Sequence, residues 1–166
     1  MTTGKRVPKG EVLLRPMGIE DLDQVLEIET ESFVEPWTRE NFIQEIDFPS
    51  DSELTVATID EAIVGYSVTW YLEHEVHLAN VAVQSGYRER GIGRALVEAV
   101  MEAARREGVP KIMLEVRESN AEARRLYEHL GFRAVGVKPD YYRVEKEDAI
   151  LMRYSHEAGD AREECG

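Results

Sequence analysis

Two glycines set among arginines offer the first chemistry legible in this sequence. In Arg88-Glu89-Arg90-Gly91-Ile92-Gly93-Arg94 the glycines stand where a long apolar-striped segment begins. A helix that opens on glycine lets a ligand approach the backbone, and its first-turn amides, which lack intrahelical partners, favour an anion. Arg88, Arg90 and Arg94 make the stretch locally positive within an acidic chain, which suits the pyrophosphate of a nucleotide-derived cofactor. The competing reading is that Gly91 and Gly93 only permit tight helix packing. Two familiar phosphate loops are disfavoured, since the chain has no G-x-x-x-x-G-K-[ST] and GIGRAL lacks the pattern G-x-G-x-x-G. That argues against ATP in a P-loop and against NAD.

A second feature lies downstream. Alternation in Lys111 to Arg117 (KIMLEVR) puts Ile112, Leu114 and Val116 on one face and Lys111, Met113, Glu115 and Arg117 on the other. A carboxylate in mid-strand needs a reason, because an unpaired buried charge is costly. Glu115 is either a base at the mouth of a cleft or one half of a salt bridge on a wet face, and the strand alone does not choose. Asn120 and Tyr127 are seven residues apart, nearly in line on the next helix, and can face one groove. Taken singly, Asn120 reads as helix-start chemistry and Tyr127 as core. His74, His77, His129 and His156 read as surface histidines without metal spacing, so no metal is expected. The sole cysteine, Cys165, sits in a polar tail, which excludes a disulfide framework and disfavours a thiol nucleophile; G-x-S-x-G is absent.

Elements must hold these residues in place. Glu11 to Arg15 reads as a short strand, followed by a helix with Ile19, Leu22, Val25, Leu26 and Ile28 or Glu29 around its faces, broken by Ser32 to Thr38. Thr38 can cap a second helix that Phe48, Pro49 and Ser50 stop. Glu53 to Ile59, Ala62 to Tyr71 and Glu75 to Val83 are strands, the first two joined by an Asp60-Glu61 turn. Ile92 to Glu107 is a helix with an Ile92, Ala95, Leu96, Ala99, Val100, Ala103 stripe, ended by Gly108 and Pro110. After the Lys111 strand, Ser119 with Glu122 forms a capping box for a helix striped by Ala123, Leu126, Tyr127 and Leu130 and stopped by Gly131. Phe132 to Val137 and Asp148 to Tyr154 close the chain as strands. The expected class is α/β (α+β): a mixed, mostly antiparallel sheet of about seven strands flanked by four helices, in one domain over residues 11–154, with residues 1–10 and 155–166 as flexible termini.

With 166 residues the chain suits one core. A hydrophobic share of 43% beside 32% charged residues marks a soluble globular protein, and no apolar run nears the ~20 residues of a membrane span, so a cytoplasmic location is expected. A net charge of −13 repels nucleic acid and favours a cationic partner such as an amine; the acidity also serves solubility.

Taken together, R-x-x-G-x-G at Arg88, Gly91 and Gly93, the LEVR strand, and S-N-x-x-A-x-x-L-Y-x-x-L-G-F from Ser119 to Phe132 resemble the GCN5-related N-acetyltransferases. FVEPWTRENF (Phe33 to Phe42), LEVRESN (Leu114 to Asn120), and Tyr141-Tyr142 followed by EDAILM (Glu147 to Met152) are most similar to the RimI and Ard1 type of protein N-terminal acetyltransferase. The resemblance covers roughly residues 11–154 and implies that fold, with acetyl-CoA as cosubstrate and no metal. It implies that Val81, Ala82 and Val83 offer backbone to pantetheine, that Arg88, Glu89, Arg90, Gly91, Ile92, Gly93 and Arg94 hold the pyrophosphate, and that Asn120 contacts the pantetheine arm. It implies Glu115 as general base and Tyr127 as general acid, with Phe33, Glu35, Pro36, Trp37 and Tyr141 walling the acceptor entrance. The implied acceptor is the α-amine of a protein N-terminus, in a ribosomal protein such as S18 with its N-terminal alanine or in nascent chains, attacking directly in a ternary complex. A lysine side chain or small-molecule amine is the alternative acceptor, and a CoA-binding regulatory module the non-enzymatic one. No membrane or direct nucleic-acid partner is implied, and the chain is expected to be a monomer or weak dimer.

Reference acidities shape the expected chemistry. An α-amine near 8 is roughly a tenth neutral at pH 7, whereas lysine near 10.4 is almost wholly charged. A glutamate at its ordinary value takes a proton from such an ammonium at a cost of about 5 kcal/mol, which points to a raised acidity constant or a water relay, and the relay is the expectation.

Overall fold

The structure is a computed structural model that describes residues 11–48 and 51–156. The expected stops Pro49 and Ser50, and the cysteine at 165, lie outside the described residues.

Among the described residues, seven strands form one sheet in the order β1-β2-β3-β4-β5-β7-β6. In chain order the elements are β1 (Leu13–Pro16), α1 (Leu22–Ser32), α2 (Arg39–Asp47), β2 (Ser52–Ile59), β3 (Ala62–Tyr71), β4 (Glu75–Val83), α3 (Ile92–Glu107), β5 (Lys111–Arg117), α4 (Ala121–His129), β6 (Arg133–Tyr142) and β7 (Glu147–Ser155). Every pairing is antiparallel except β4 with β5, which run parallel. Asp60 and Glu61, at φ 51° and 73°, make the two-residue hairpin between β2 and β3, the left-handed backbone that suits the twist of the flanking strands. Among the described residues no helix is long and apolar enough to cross a membrane.

Helices cover both faces. Leu22, Val25 and Ile28 of α1 and Phe42 of α2 pack on Leu54, Val56, Tyr66 and Val68 of β2 and β3. On the opposite face Val97, Val100 and Ala104 of α3 and Tyr127 and Leu130 of α4 pack on β4, β5 and β7. The α3 stripe is rotated from the expected one: Val97 and Ala104 are buried instead of Ala99 and Ala103, and join Val100 in the core over β4 and β5.

Two local features open a cleft. The β4–β5 ladder holds only Glu75, Val76 and His77 against Lys111, Ile112 and Met113, and beyond it the two strands part. On the other side of β4 the register shifts between Val68 and Thr69, so Ala79 is the extra residue of a bulge. Bulges redirect side chains and end pairing.

Three expectations change. The cap of α4 is Asn120, whose side chain accepts from the Ala123 amide at 3.1 Å, and not Ser119 with Glu122. β6 runs on to Tyr142 through Pro139; it is the outermost strand, where a residue without an N–H is tolerated. Ser155 belongs to β7, one residue beyond the expected strand end, and the His156 amide donates to the Pro110 carbonyl at 3.0 Å.

Candidate active site

Two cavities lie in the cleft and meet. One, of about 370 Å³, is a groove lined by Ala82 and Val83 of β4, by Tyr87, Arg88, Glu89, Gly91, Ile92, Gly93 and Arg94, and by Leu126 of α4. The other, of about 410 Å³, lies between α1, the α1–α2 loop, the parted strands and the β6–β7 hairpin. Phe33, Val81, Arg117, Asn120, Ala123 and Tyr127 line both, so a molecule in the groove would reach into the inner cavity at these residues.

The groove suits an anion bound by backbone. Gly91 caps α3 at φ 82° with no side-chain cap, leaving the first-turn amides open. A Cβ on Gly91 would meet nothing within 4 Å, and one on Gly93 only Leu126 and Val83 at 3.6 and 3.7 Å, so tight packing does not explain either glycine. The arginines are partly committed elsewhere: Arg88 Nε donates to the Val83 carbonyl at 3.1 Å, and Arg94 pairs with Glu98 at 3.0 Å. Arg90 does not line the groove and instead stacks over the Tyr87 ring at 4.9 Å. One observation fits a polar ligand independently. Ser32, at the end of α1, lines the groove with a buried hydroxyl that has no hydrogen-bond partner among the described residues. A pantetheine arm with its amides is the kind of chain that could satisfy it.

In the inner cavity the expected wall residues Phe33, Glu35, Trp37 and Tyr141 are present, and Pro36 is not among them. Trp37 packs against Phe42 at 5.0 Å and stacks on Trp70 at 6.3 Å, which fixes the α1–α2 loop to the sheet.

Glu115 is held from both sides. His77 Nε2 bonds one carboxylate oxygen at 2.7 Å and Lys138 Nζ donates to the other at 2.7 Å. Although burial opposes it, these two partners bring the carboxyl down to about 2. The choice left open in the sequence thus gains a second half: Glu115 lines the cavity and is also ion-paired. His77 is not a surface histidine, being 20% exposed and edge-on to Trp70 at 5.5 Å. Tyr127 is buried at the junction of the cavities, its ring on Phe132 at 5.7 Å, and burial pushes its hydroxyl up to about 12.

One more carboxylate, outside every motif of the sequence, belongs to this cavity. Glu29 of α1 is 1% exposed and lines the inner cavity. It accepts from the Trp37 amide at 2.8 Å, from the Asn80 side chain at 3.1 and 3.4 Å, and from the Tyr66 hydroxyl. Burial outweighs the Trp37 and Asn80 hydrogen bonds and raises its carboxyl to about 7. The signal was present, since Glu29 falls on the buried stripe of Leu22, Val25 and Ile28. Arg117 and Glu145 form an ion pair beside Tyr142 at the cavity rim. Among the described residues no cluster of three or more His, Cys, Asp or Glu could hold a metal ion.

A sheet parted between β4 and β5, a glycine-capped helix facing a groove, and an inner cavity entered past a tyrosine define an acyl-transfer scaffold. Residues 22–132 match the Acetyltransferase (GNAT) family, and the chain belongs to that family. It is 34% identical over 137 residues to the [ribosomal protein bS18]-alanine N-acetyltransferase of Salmonella typhimurium, covering 80% of this chain and 89% of that one. Among solved structures, the ribosomal-protein-S18-alanine N-acetyltransferase from Escherichia coli superposes with a TM-score of 0.79 at 30% identity, over 87% of this chain and 94% of the other. Ard1 from Thermoplasma volcanium gives a TM-score of 0.79 at 27% identity, over 87% and 97%.

Proposed function

We propose that this chain is a protein N-α-acetyltransferase that moves the acetyl group of acetyl-CoA to the free α-amine of a protein N-terminus, in the cytoplasm. The named acceptor of its relatives, a ribosomal protein S18 with N-terminal alanine, is the first substrate to test. The observation that carries the reading is the contact of the two cavities at Tyr127, with an anion-suited groove on one side and a carboxylate-bearing chamber on the other.

In this reading the first-turn amides of α3 hold the pyrophosphate, the β4 backbone at Val81 to Val83 aligns the pantetheine arm, and Asn120 and Ser32 contact it. The bound acetyl-CoA supplies an activated thioester carbonyl at the junction. The neutral amine attacks that carbonyl, the new C–N bond forms and the C–S bond breaks. Tyr127 donates a hydrogen bond to the departing sulfur. Full transfer from a phenol near 12 to a thiolate whose acid is near 8.5 costs about 5 kcal/mol. Transfer is therefore completed only as the proton leaving nitrogen replaces the one Tyr127 gives up. Glu115, fixed as an anion by His77 and Lys138, attracts the incoming ammonium and, as general base, draws its proton off through a water relay.

Thiol release measured with short peptides tests the reading. Peptides with a free N-terminal alanine should turn over, and the same peptides with blocked termini and an internal lysine should not. Turnover of lysine or small amines alone would replace the α-amine by the alternative acceptor.

A further inference from the structure

On the reading that the acceptor is an α-amine, it enters the inner cavity as an ammonium and must come to rest beside the base. Four carboxylates line that cavity, Glu29, Glu35, Glu115 and Glu145. Glu29 accepts from the Trp37 amide, the Asn80 side chain and the Tyr66 hydroxyl, and Glu145 is paired with the Arg117 guanidinium. Glu115 instead holds a primary ammonium: Lys138 Nζ lies 2.7 Å from its Oε2 and 5.3 Å from the centre of the Tyr141 ring. A carboxylate beside an aromatic face is a seat for ammonium ions, binding them by charge and by the ring quadrupole together. Glu115 and Tyr141 both line the cavity, whereas Lys138 is not part of its wall and reaches them from β6. Its anchorage is weak. β6 is the outermost strand, and Lys138 is the last residue paired with β7 before the register shifts through Pro139 and Asp140, the latter at φ 51°. The lysine side chain is 45% exposed and that of Glu115 only 9%, so the ammonium can swing out to water while the carboxylate stays. His77, the other partner, sits on the inner strand β4 with its ring edge-on to Trp70.

We propose that Lys138 is an internal stand-in for the acceptor: its ammonium occupies the seat between Glu115 and Tyr141 in the resting chain, and the α-ammonium of the incoming terminus displaces it. The exchange is one cation for another, so the buried carboxylate is never left unpaired and no proton moves in this step. Lys138 leaves still protonated. Its hydrogen bond to Glu115, with Tyr141 and Glu75 as the further contributors, raises the ammonium above its ordinary range although burial opposes this. Glu75 of β4 is the next carboxylate whose charge it feels. The proton step follows the exchange: one N–H bond of the α-ammonium breaks, water relays the proton, and an O–H bond forms on Glu115. Displacement also prepares that step. Lys138 is one of the two partners that hold the Glu115 carboxyl at about 2, and once it has left, no second cation remains on Oε2 to oppose the proton given up by the amine. A terminus must outcompete the lysine, so the apparent acceptor affinity is reduced by the fraction of chains in which Lys138 is seated.

The test compares the full chain with Lys138→Met, which keeps the stem and removes the ammonium, and Lys138→Arg, which keeps the charge and grips a carboxylate through two nitrogens. A short peptide with free N-terminal alanine is titrated by calorimetry into the CoA-loaded chain, and kcat and KM are measured with acetyl-CoA at neutral pH. A partly exposed ion pair holds its partners by up to roughly fivefold. Lys138→Met should therefore bind the peptide up to roughly fivefold more tightly and lower its KM, with no fall in kcat and with CoA affinity unchanged. Lys138→Arg should bind the peptide no more tightly than wild type. In a Glu115→Gln background Lys138→Met should bring no gain, because the charge competed for is gone. Peptide affinity that does not improve in Lys138→Met, a fall in its kcat, a gain in Lys138→Arg, or a gain that persists with Glu115→Gln makes Lys138 a fixed partner of the site and overturns the inference alone. Failure of the wild type to acetylate the α-amine peptide overturns the functional reading, and the inference with it.

Discussion

Replacing Glu29 with glutamine should change how stability depends on pH. The carboxyl is 1% exposed, and burial raises it from 4.5 to about 7. Below 4.5 both folded and unfolded chains hold the proton, and Glu29 costs nothing. Between 4.5 and about 7 the folded chain keeps a proton that the unfolded chain has released, so stability falls as pH rises. Above about 7 the carboxylate is charged in both states, and the burial penalty is complete, roughly 3 kcal/mol at 1.36 kcal/mol per unit. Glu115 and Asp21, whose carboxyls are lowered, contribute with the opposite sign and gain stability with rising pH. Only the difference between wild type and Glu29→Gln isolates the effect. Urea denaturation in steps from pH 4.5 to 8.5 should give a wild-type-minus-variant difference that drops by roughly 3 kcal/mol and then levels off. Parallel curves over that range would show that Glu29 titrates alike in both states and would refute the argument from burial.

Tyr127→Phe removes only the hydroxyl from a ring packed on Phe132, so CoA affinity and thermal midpoint should hold while kcat falls ten- to a thousandfold in steady-state assays. Gly93→Ala should leave the thermal midpoint nearly unchanged, because its Cβ makes only ordinary contacts, yet weaken CoA at least tenfold by calorimetry through intrusion on the groove. Gly91→Ala should lower stability by about 1 kcal/mol as well, since its φ of 82° is left-handed. Asn120→Ala should cost about 1 kcal/mol by denaturant titration, whereas Ser119→Ala should be near neutral, because the capping oxygen belongs to Asn120.

The alternation of strand and helix was legible because each element repeats its own period over enough residues, as in Ile112, Leu114 and Val116 of β5. Boundaries failed where packing was weak: β6 lies at the sheet edge, almost wholly exposed, with little apolar pattern to read. Gly91 and Gly93 announced the groove because a turn of that composition constrains its own backbone. The partners of Glu115 could not be read, since His77 and Lys138 reach it only through the parallel register of β4 on β5 and the place of β6 beyond β7. Glu29 was half visible. It interrupts an apolar stripe, but its meaning depends on Tyr66 and Asn80, 37 and 51 residues further along the chain.

The short β4–β5 ladder bears on how the molecule holds itself together. Three residue pairs join a four-stranded half, β1 to β4, to a three-stranded half, β5 to β7. A bound pantetheine arm, taking hydrogen bonds from β4 while its neighbours touch α4, would act as a missing rung between the halves. Ligand occupancy and the cohesion of the whole sheet are then one property: amides along Leu78 to Val83 and Leu114 to Arg117 should exchange slowly with CoA bound and open first without it.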